Sequence, residues 1–325
     1  MSRVLVVGAG VVGLSSAVRL LEAGHRVDVV ARDLPLETTS SVAAALWYPY
    51  LAFPRTRVVE WAATTYAALE VLASTEPASG VVLREGTEVL RERTPDPWWA
   101  EAGPSIARQT ALPPGFVDGW TFRSPVVEMP VYLRWLVGQV EALGGTITRM
   151  NLSGLPTSAD VVVNCSGIGS RLLAGDRSVV PVQGQVVVVE QFGLDRWWLA
   201  GSDDGRSPTY VVPRGTEVVV GGTDVEGEWS RTPSPATAAA ILERASVLVP
   251  ELRHARVLRH KVGLRPLRPA VRLERVSDVV HCYGHGGAGV TMSWGCADEV
   301  TRLVGGAPAR TTSRSGVSDD GRLRG

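Results

Sequence analysis

Six residues near the start constrain this chain more than any others: Gly8-Ala9-Gly10-Val11-Val12-Gly13. They follow an apolar run, Arg3 to Val7, that reads as a buried parallel strand. They open a stretch whose apolar residues Leu14, Ala17, Val18 and Leu21 share one helical face, with Gly24 at a C-cap position. Arg26 to Val30 reads as a second strand. A glycine hexapeptide alone is a weak signal; set between strand and helix it predicts a dinucleotide site. The first glycine permits a tight turn, the second lets a pyrophosphate approach the backbone, and the third lets helix pack on strand. Free N–H groups and the positive dipole end at the helix start then favour the phosphates.

The dinucleotide itself is not settled locally. The position that usually carries an acid on the ribose falls on Ala31, followed by Arg32 and Asp33. Asp33 can bond a ribose hydroxyl, whereas Arg32 can pair with a 2′-phosphate and favour NADP, or simply stay solvated. Thr38-Thr39-Ser40 and the small residues before Leu46-Trp47 suit close approach to a flat ring, although on composition alone they equally read as a loop.

The remaining pattern alternates. Helical periodicity covers about 55–75, 129–143, 236–248 and 291–304, and a loop-rich stretch carries Pro95, Pro97, Pro104, Pro113 and Pro114. Asp160 to Asn164 and Asp278 to Tyr283 read as buried strands, whereas Val186 to Glu190, Thr209 to Val212 and Glu217 to Gly221 suggest an antiparallel sheet. The expected fold is therefore α/β, α+β overall: a Rossmann-like cofactor domain (1–55, 145–185, 263–307) interleaved with a substrate domain (56–144, 186–262) on a mainly antiparallel sheet. A flexible tail is expected over 308–325, where Gly, Ser, Thr and Arg leave little to bury.

Thirty-three basic and thirty-three acidic side chains cancel, so no net field draws nucleic acid or an anionic membrane. The three cysteines and five histidines lack metal-ligand spacing, so no metal is expected, and His285 reads as a packing residue. No signal peptide or membrane span is visible, which makes the cytoplasm the expected compartment.

Taken in order, several pieces carry a resemblance: Gly8 to Ala17, Ala31 to Pro35, Thr38 to Pro49, Val161 to Gly167, Gly184-Gln185, Tyr210 to Pro213, Gly263 to Pro266 and His281 to Gly295. With these the chain resembles the D-amino-acid oxidases, within the group that also holds D-aspartate, glycine and sarcosine oxidases, from the first strand to about Gly305. The resemblance implies non-covalent FAD and oxidative deamination of a D-amino acid by hydride transfer to flavin N5, giving a 2-oxo acid, ammonia and hydrogen peroxide. It implies that Arg265 forms a two-pronged ion pair with the substrate carboxylate, that Tyr210 adds a phenol hydrogen bond, and that the Gly287 carbonyl accepts from the amine. Cofactor contacts would come from Gly8 to Gly13, Arg32, Asp33, Thr38, Thr39, Ser40, Ala44, Ala45, Leu46, Met150, Ser166 and Gly167. Arg265, Gly286, Gly287, Gly289, Val290 and Thr291 would complete them, with Thr291 near the pyrimidine carbonyl.

Two positions depart from the family pattern. Tyr48 replaces a glutamine and becomes a candidate pocket phenol, and Arg206 stands where mammalian members carry a second tyrosine. The loop before Tyr210 is too short for a long lid. The expected partners are a D-amino acid and oxygen, with no nucleic acid or membrane and with a homodimer as the candidate assembly. D-aspartate or glycine/sarcosine oxidation are the neighbouring alternatives, and an NADP-dependent dehydrogenase is the alternative of a different class.

Overall fold

The structure, a computed structural model, describes residues 1–201 and 207–306. The expected tail and Arg206 lie outside the described residues. The first three elements are β1 (Arg3–Val7), α1 (Val11–Glu22) and β2 (Arg26–Ala31). Gly24, at φ 82°, ends α1 in the left-handed conformation that a side chain would disfavour. Next come α2 (Arg55–Thr75), β3 (Val81–Leu90), β4 (Ala107–Arg108), β5 (Asp118–Val127) and α3 (Met129–Ala142). β6 (Thr146–Arg149), β7 (Val161–Asn164) and the short α4 (Ser170–Leu173) follow. Then the chain runs through β8 (Val180–Glu190), β9 (Trp197–Ala200), β10 (Thr209–Pro213), β11 (Glu217–Gly221), β12 (Val225–Glu226) and α5 (Pro235–Leu248). It closes with β13 (Val257–Val276), β14 (Val279–His285) and α6 (Ser293–Gly305).

All the strands join one sheet, in the order β4-β5-β3-β9-β10-β11-β8-β13-β14-β7-β1-β2-β6, with β12 added on β8. The end built from β14, β7, β1, β2 and β6 is parallel. Its inner strands β1, β2 and β7 are rich in valine because both faces are covered. Val4 and Val6 of β1 pack with α1, α3 and α6, while Leu5 and Val7 pack with Val30, Val162 and Leu173. The rest of the sheet is antiparallel apart from the β3–β9 pair. There α5 covers one face, burying Ala238, Ile241, Ala245 and Leu248 on Val187, Val189, Val211, Val218 and Val220. No helix among the described residues is long and apolar enough to cross a membrane.

β13 joins the two ends. Its first half pairs with β8 over Val257–Leu267 and its second half with β14, with a register shift between Leu267 and Arg272. Arg265 therefore sits where the antiparallel sheet meets the parallel one. The expected helices and strands all occur, and the long strands β3, β5 and β13 are additional to them. β3 carries Arg84, Glu85 and Gly86 and β5 carries Pro125, which breaks the apolar alternation that marks a strand.

Candidate active site

A cavity of about 800 Å³ opens along the C-terminal ends of the parallel strands and reaches the antiparallel sheet. Ligands bind at such strand ends in open α/β sheets, and this volume suits a large cofactor. At the parallel end the chain is packed backbone on backbone. A Cβ on Gly8 would lie 2.4 Å from Cys165 O, and one on Gly13 would lie 1.9 Å from Gly8 O. Those two glycines are fixed by the protein's own contacts. Gly10 is different: its Cβ would meet only the Ser40 hydroxyl, at 3.1 Å. That hydroxyl accepts a hydrogen bond from Val11 N at 3.0 Å, which ties the 38–42 turn to the start of α1.

Most of the expected cofactor residues converge here. Gly8 to Val12, Arg32, Asp33, Thr38 to Ser40, Met150, Ser166 and Gly167 line the cavity, as do Gly286, Gly287, Gly289 and Val290. Arg32 and Asp33 are bound to each other, with Nε to Oδ1 at 3.1 Å and Nη2 to Oδ2 at 2.7 Å. This guanidinium holds the Asp33 carboxyl below the ordinary carboxylate range. A 2′-phosphate on Arg32 would have to compete with that carboxylate.

The opposite end is built from side chains laid over glycines. The Arg265 guanidinium lies on Gly184, where a Cβ would be 2.6 Å from Cζ, and its Nη1 donates to Thr223 O at 2.7 Å. The Tyr210 ring lies on Gly221 and Gly222; a Cβ at Gly222 would be 2.7 Å from the phenol oxygen. Both side chains face the cavity. Gly287 turns its backbone toward the same end, 3.2 Å (as Cβ) from Tyr50 Cδ1 and 3.7 Å from Arg265 Cδ. Gly184, Gly221, Gly222, Thr223 and Tyr50 are thus site residues that the sequence did not mark as such. The only available signal was the glycine pair after a valine-rich strand.

Other expected residues stand outside this lining. The Tyr48 phenol donates to the buried Glu88 carboxylate at 2.5 Å and packs edge-on against Trp99. Thr291 is bonded to the Tyr48 backbone, accepting from N at 3.1 Å and donating to O at 3.0 Å, so its hydroxyl ties the 48 segment to the glycine turn. Ala45 sits at φ 60°, left-handed for a residue with a Cβ, and Val127 N holds its carbonyl. The Ala44–Leu46 side chains pack against the core, directly after Val42 and Ala43, which line the cavity.

Folding also gathers Cys282, His285 and Cys296, whose donor atoms lie within 4.8 Å of one another. Their linear spacing concealed this. All three are buried, and His285 Nε2 lies 3.5 Å from Cys296 Sγ. Burial pushes the His285 imidazole down to about 4, so it is neutral near pH 7. The three cysteines of the chain are free thiols.

A glycine-lined end and an end carrying Arg265 share one cavity, an arrangement with room for a dinucleotide cofactor beside a small molecule. The chain belongs to the FAD dependent oxidoreductase family, whose model matches residues 3–303. It is 50% identical over 317 residues to the D-amino-acid oxidase of Rubrobacter xylanophilus, covering 94% of this chain and 97% of that protein. It is 37% identical over 327 residues to the human D-aspartate oxidase, covering 93% and 94%. Among solved structures, glycine oxidase from Bacillus cereus superposes with a TM-score of 0.77 at 21% identity, over 94% of this chain and 95% of that one. Membership of the family decides between the two dinucleotides in favour of FAD.

Proposed function

We propose that this enzyme oxidises D-amino acids with oxygen, holding FAD non-covalently. The observation that carries the reading is the meeting of Arg265, Tyr210 and the Gly287 backbone at the end of the cavity away from the glycine cradle. FAD bound in the cradle supplies the two-electron acceptor, so that a D-amino acid, oxygen and water become a 2-oxo acid, ammonia and hydrogen peroxide.

The chain's part is to bind and orient. With Nη1 anchored on Thr223, the guanidinium of Arg265 presents its remaining donors in a fixed plane, which matches the two oxygens of a carboxylate. The Tyr210 phenol adds a donor from the neighbouring strand. The Gly287 carbonyl accepts from the amine, which binds neutral, so no side-chain base is asked of the chain. Two substituents of the α-carbon are then held on one wall. Its hydrogen and side chain exchange places between enantiomers, and only one arrangement turns the hydrogen toward the cofactor end.

The domain division at 1–55, 145–185 and 263–307 against 56–144 and 186–262 remains our reading of how the two tasks are shared. The cytoplasm remains the proposed compartment, in keeping with three free, buried cysteines. Anaerobic mixing of the yellow holoenzyme with a panel of D- and L-amino acids tests the function. Bleaching by D-enantiomers, with peroxide on admitting air, is expected. A flavin that stays oxidised with every D-amino acid, D-aspartate and glycine included, would overturn it.

A further inference from the structure

Arg214 lies in the turn after β10, four residues beyond Tyr210, and its side chain is 3% exposed. Its Nη2 donates to Ala43 O at 2.7 Å and to Ala44 O at 3.4 Å. The next carbonyl, Ala45 O, accepts from Val127 N at 2.9 Å, and Lys261 Nζ donates to Ser41 O at 3.2 Å. The carbonyls of 41, 43, 44 and 45 are therefore all drawn to the protein side. These peptides are trans, and in a trans peptide the N–H points opposite to the C=O. The N–H groups of Ala44, Ala45 and Leu46 accordingly face away from Arg214 and β5. Val42 and Ala43 of the same segment line the cavity.

We propose that Arg214 is a positioning residue for the cofactor: it holds the 43–46 segment in the left-handed turn that offers its amides to bound FAD. The inference rests on the FAD reading above. Two features set Arg214 apart from an ordinary structural arginine. First, the segment it grips contains Ala45 at φ 60°, a conformation a residue with a Cβ does not hold unaided. Second, the cation is buried at a cost. Glu217 Oε1 lies 3.2 Å from Nη1, and Glu217 is shared with Arg259. Glu128 approaches from α3's N-cap and reaches Gly215 next door. A buried ion pair contributes little net stability, so its retention points to the conformation it specifies.

The test compares the full-length parent with R214Q and R214K. FAD affinity is measured by flavin fluorescence on reconstituting apoprotein, alongside the visible flavin band and the far-UV circular dichroism. R214Q keeps a donor of shorter reach and no charge. It is expected to bind FAD at least tenfold more weakly and to lose the resolved shoulders of the flavin band, with parent-like circular dichroism. R214K, which keeps the charge but can serve the two carbonyls less well, is expected to recover part of the affinity. FAD affinity within twofold of the parent in R214Q, with an unchanged flavin band, overturns the proposal. Should R214Q fail to fold, R214K carries the test alone, and parent-like affinity and spectrum in it overturn the proposal. A parent that takes up no flavin overturns the functional reading and this inference with it. A parent that does, beside a variant that binds it equally, overturns only the inference.

Discussion

The two ends of the sheet serve one cavity by opposite means. At the parallel end the contacts come from bare backbone: Gly8, Gly10 and Gly13, with the turn around Ser40, bring main chain to the cavity wall. At the antiparallel end they come from two side chains, Arg265 and Tyr210, each laid flat over glycines of the adjacent strand. Backbone suits a cofactor that every turnover shares, because a phosphate asks only for N–H groups and room. A side-chain guanidinium suits a substrate that must be held in one plane and released. The difference predicts that the two walls fail separately: damage at the glycine cradle removes flavin, and damage at Arg265 or Tyr210 removes turnover while flavin stays.

The largest effect is expected at Gly13. In Gly13→Ala the new methyl meets Gly8 O at 1.9 Å, a backbone atom that cannot swing aside. Overpacking of this kind costs about 3 kcal/mol or more, and the protein is expected to emerge colourless. Retained stoichiometric flavin, read from the visible spectrum, would break the comparison at its stronger end. Next comes Arg265→Ala, which removes the anchor of a desolvated carboxylate. The expected loss in kcat/KM is on the order of 3 kcal/mol, roughly a hundredfold or more, with the flavin band intact. Unchanged steady-state oxidation of D-alanine or D-proline would show that Arg265 is not the anchor.

The same contrast explains what could be read from the chain without coordinates. The parallel end was legible because its constraints are local. Gly8 to Gly13, the face of Leu14, Ala17, Val18 and Leu21, and the valine run of β1 all fall within one β-α-β unit. At the antiparallel end the constraints are long-range. Gly184 matters because Arg265, 81 residues later by numbering, pairs with Val182, two positions from it across β8 and β13, and folds back over it. Nothing in the segment around Tyr50 announces that it reaches the same wall, and around Thr223 only the pair Gly221-Gly222 hints at it. β3 and β5 were missed for a related reason: their charged and proline positions are tolerated by neighbours in the sheet, not by their own alternation. The Cys282, His285 and Cys296 group is close in sequence yet was hidden, because the turn between β14 and α6 decides which side chains meet.

His285, buried beside the glycine turn, adds a dependence on acidity. Its folded value of about 4 lies below the ordinary 6.5 of histidine, because burial disfavours the charged ring. Between those values the unfolded chain binds a proton that the folded one refuses. The stability this neutral ring confers is therefore full above pH 6.5 and is lost as pH falls toward 4. By pH 5 the loss is roughly 2 kcal/mol. The melting temperature of the holoenzyme is expected to drop over this window, and that of His285→Gln to depend on pH less steeply. Parallel pH profiles for the two proteins would remove His285 from this account.

The smallest effect is expected at Arg32, and it sharpens the comparison because here a guanidinium paired with an acid stands on the parallel end's cofactor wall. Its side chain is 64% exposed while Asp33 is 32% exposed, so solvent screens the pair and Arg32→Ala should change stability by no more than about 0.5 kcal/mol. If backbone carries cofactor binding at this end, FAD affinity in the variant stays within about threefold of the parent. A tenfold or larger fall in affinity would mean that a side-chain cation holds the cofactor here as well. The two ends would then differ in degree, and the division between main-chain and side-chain recognition would have to be redrawn between α1 and β2.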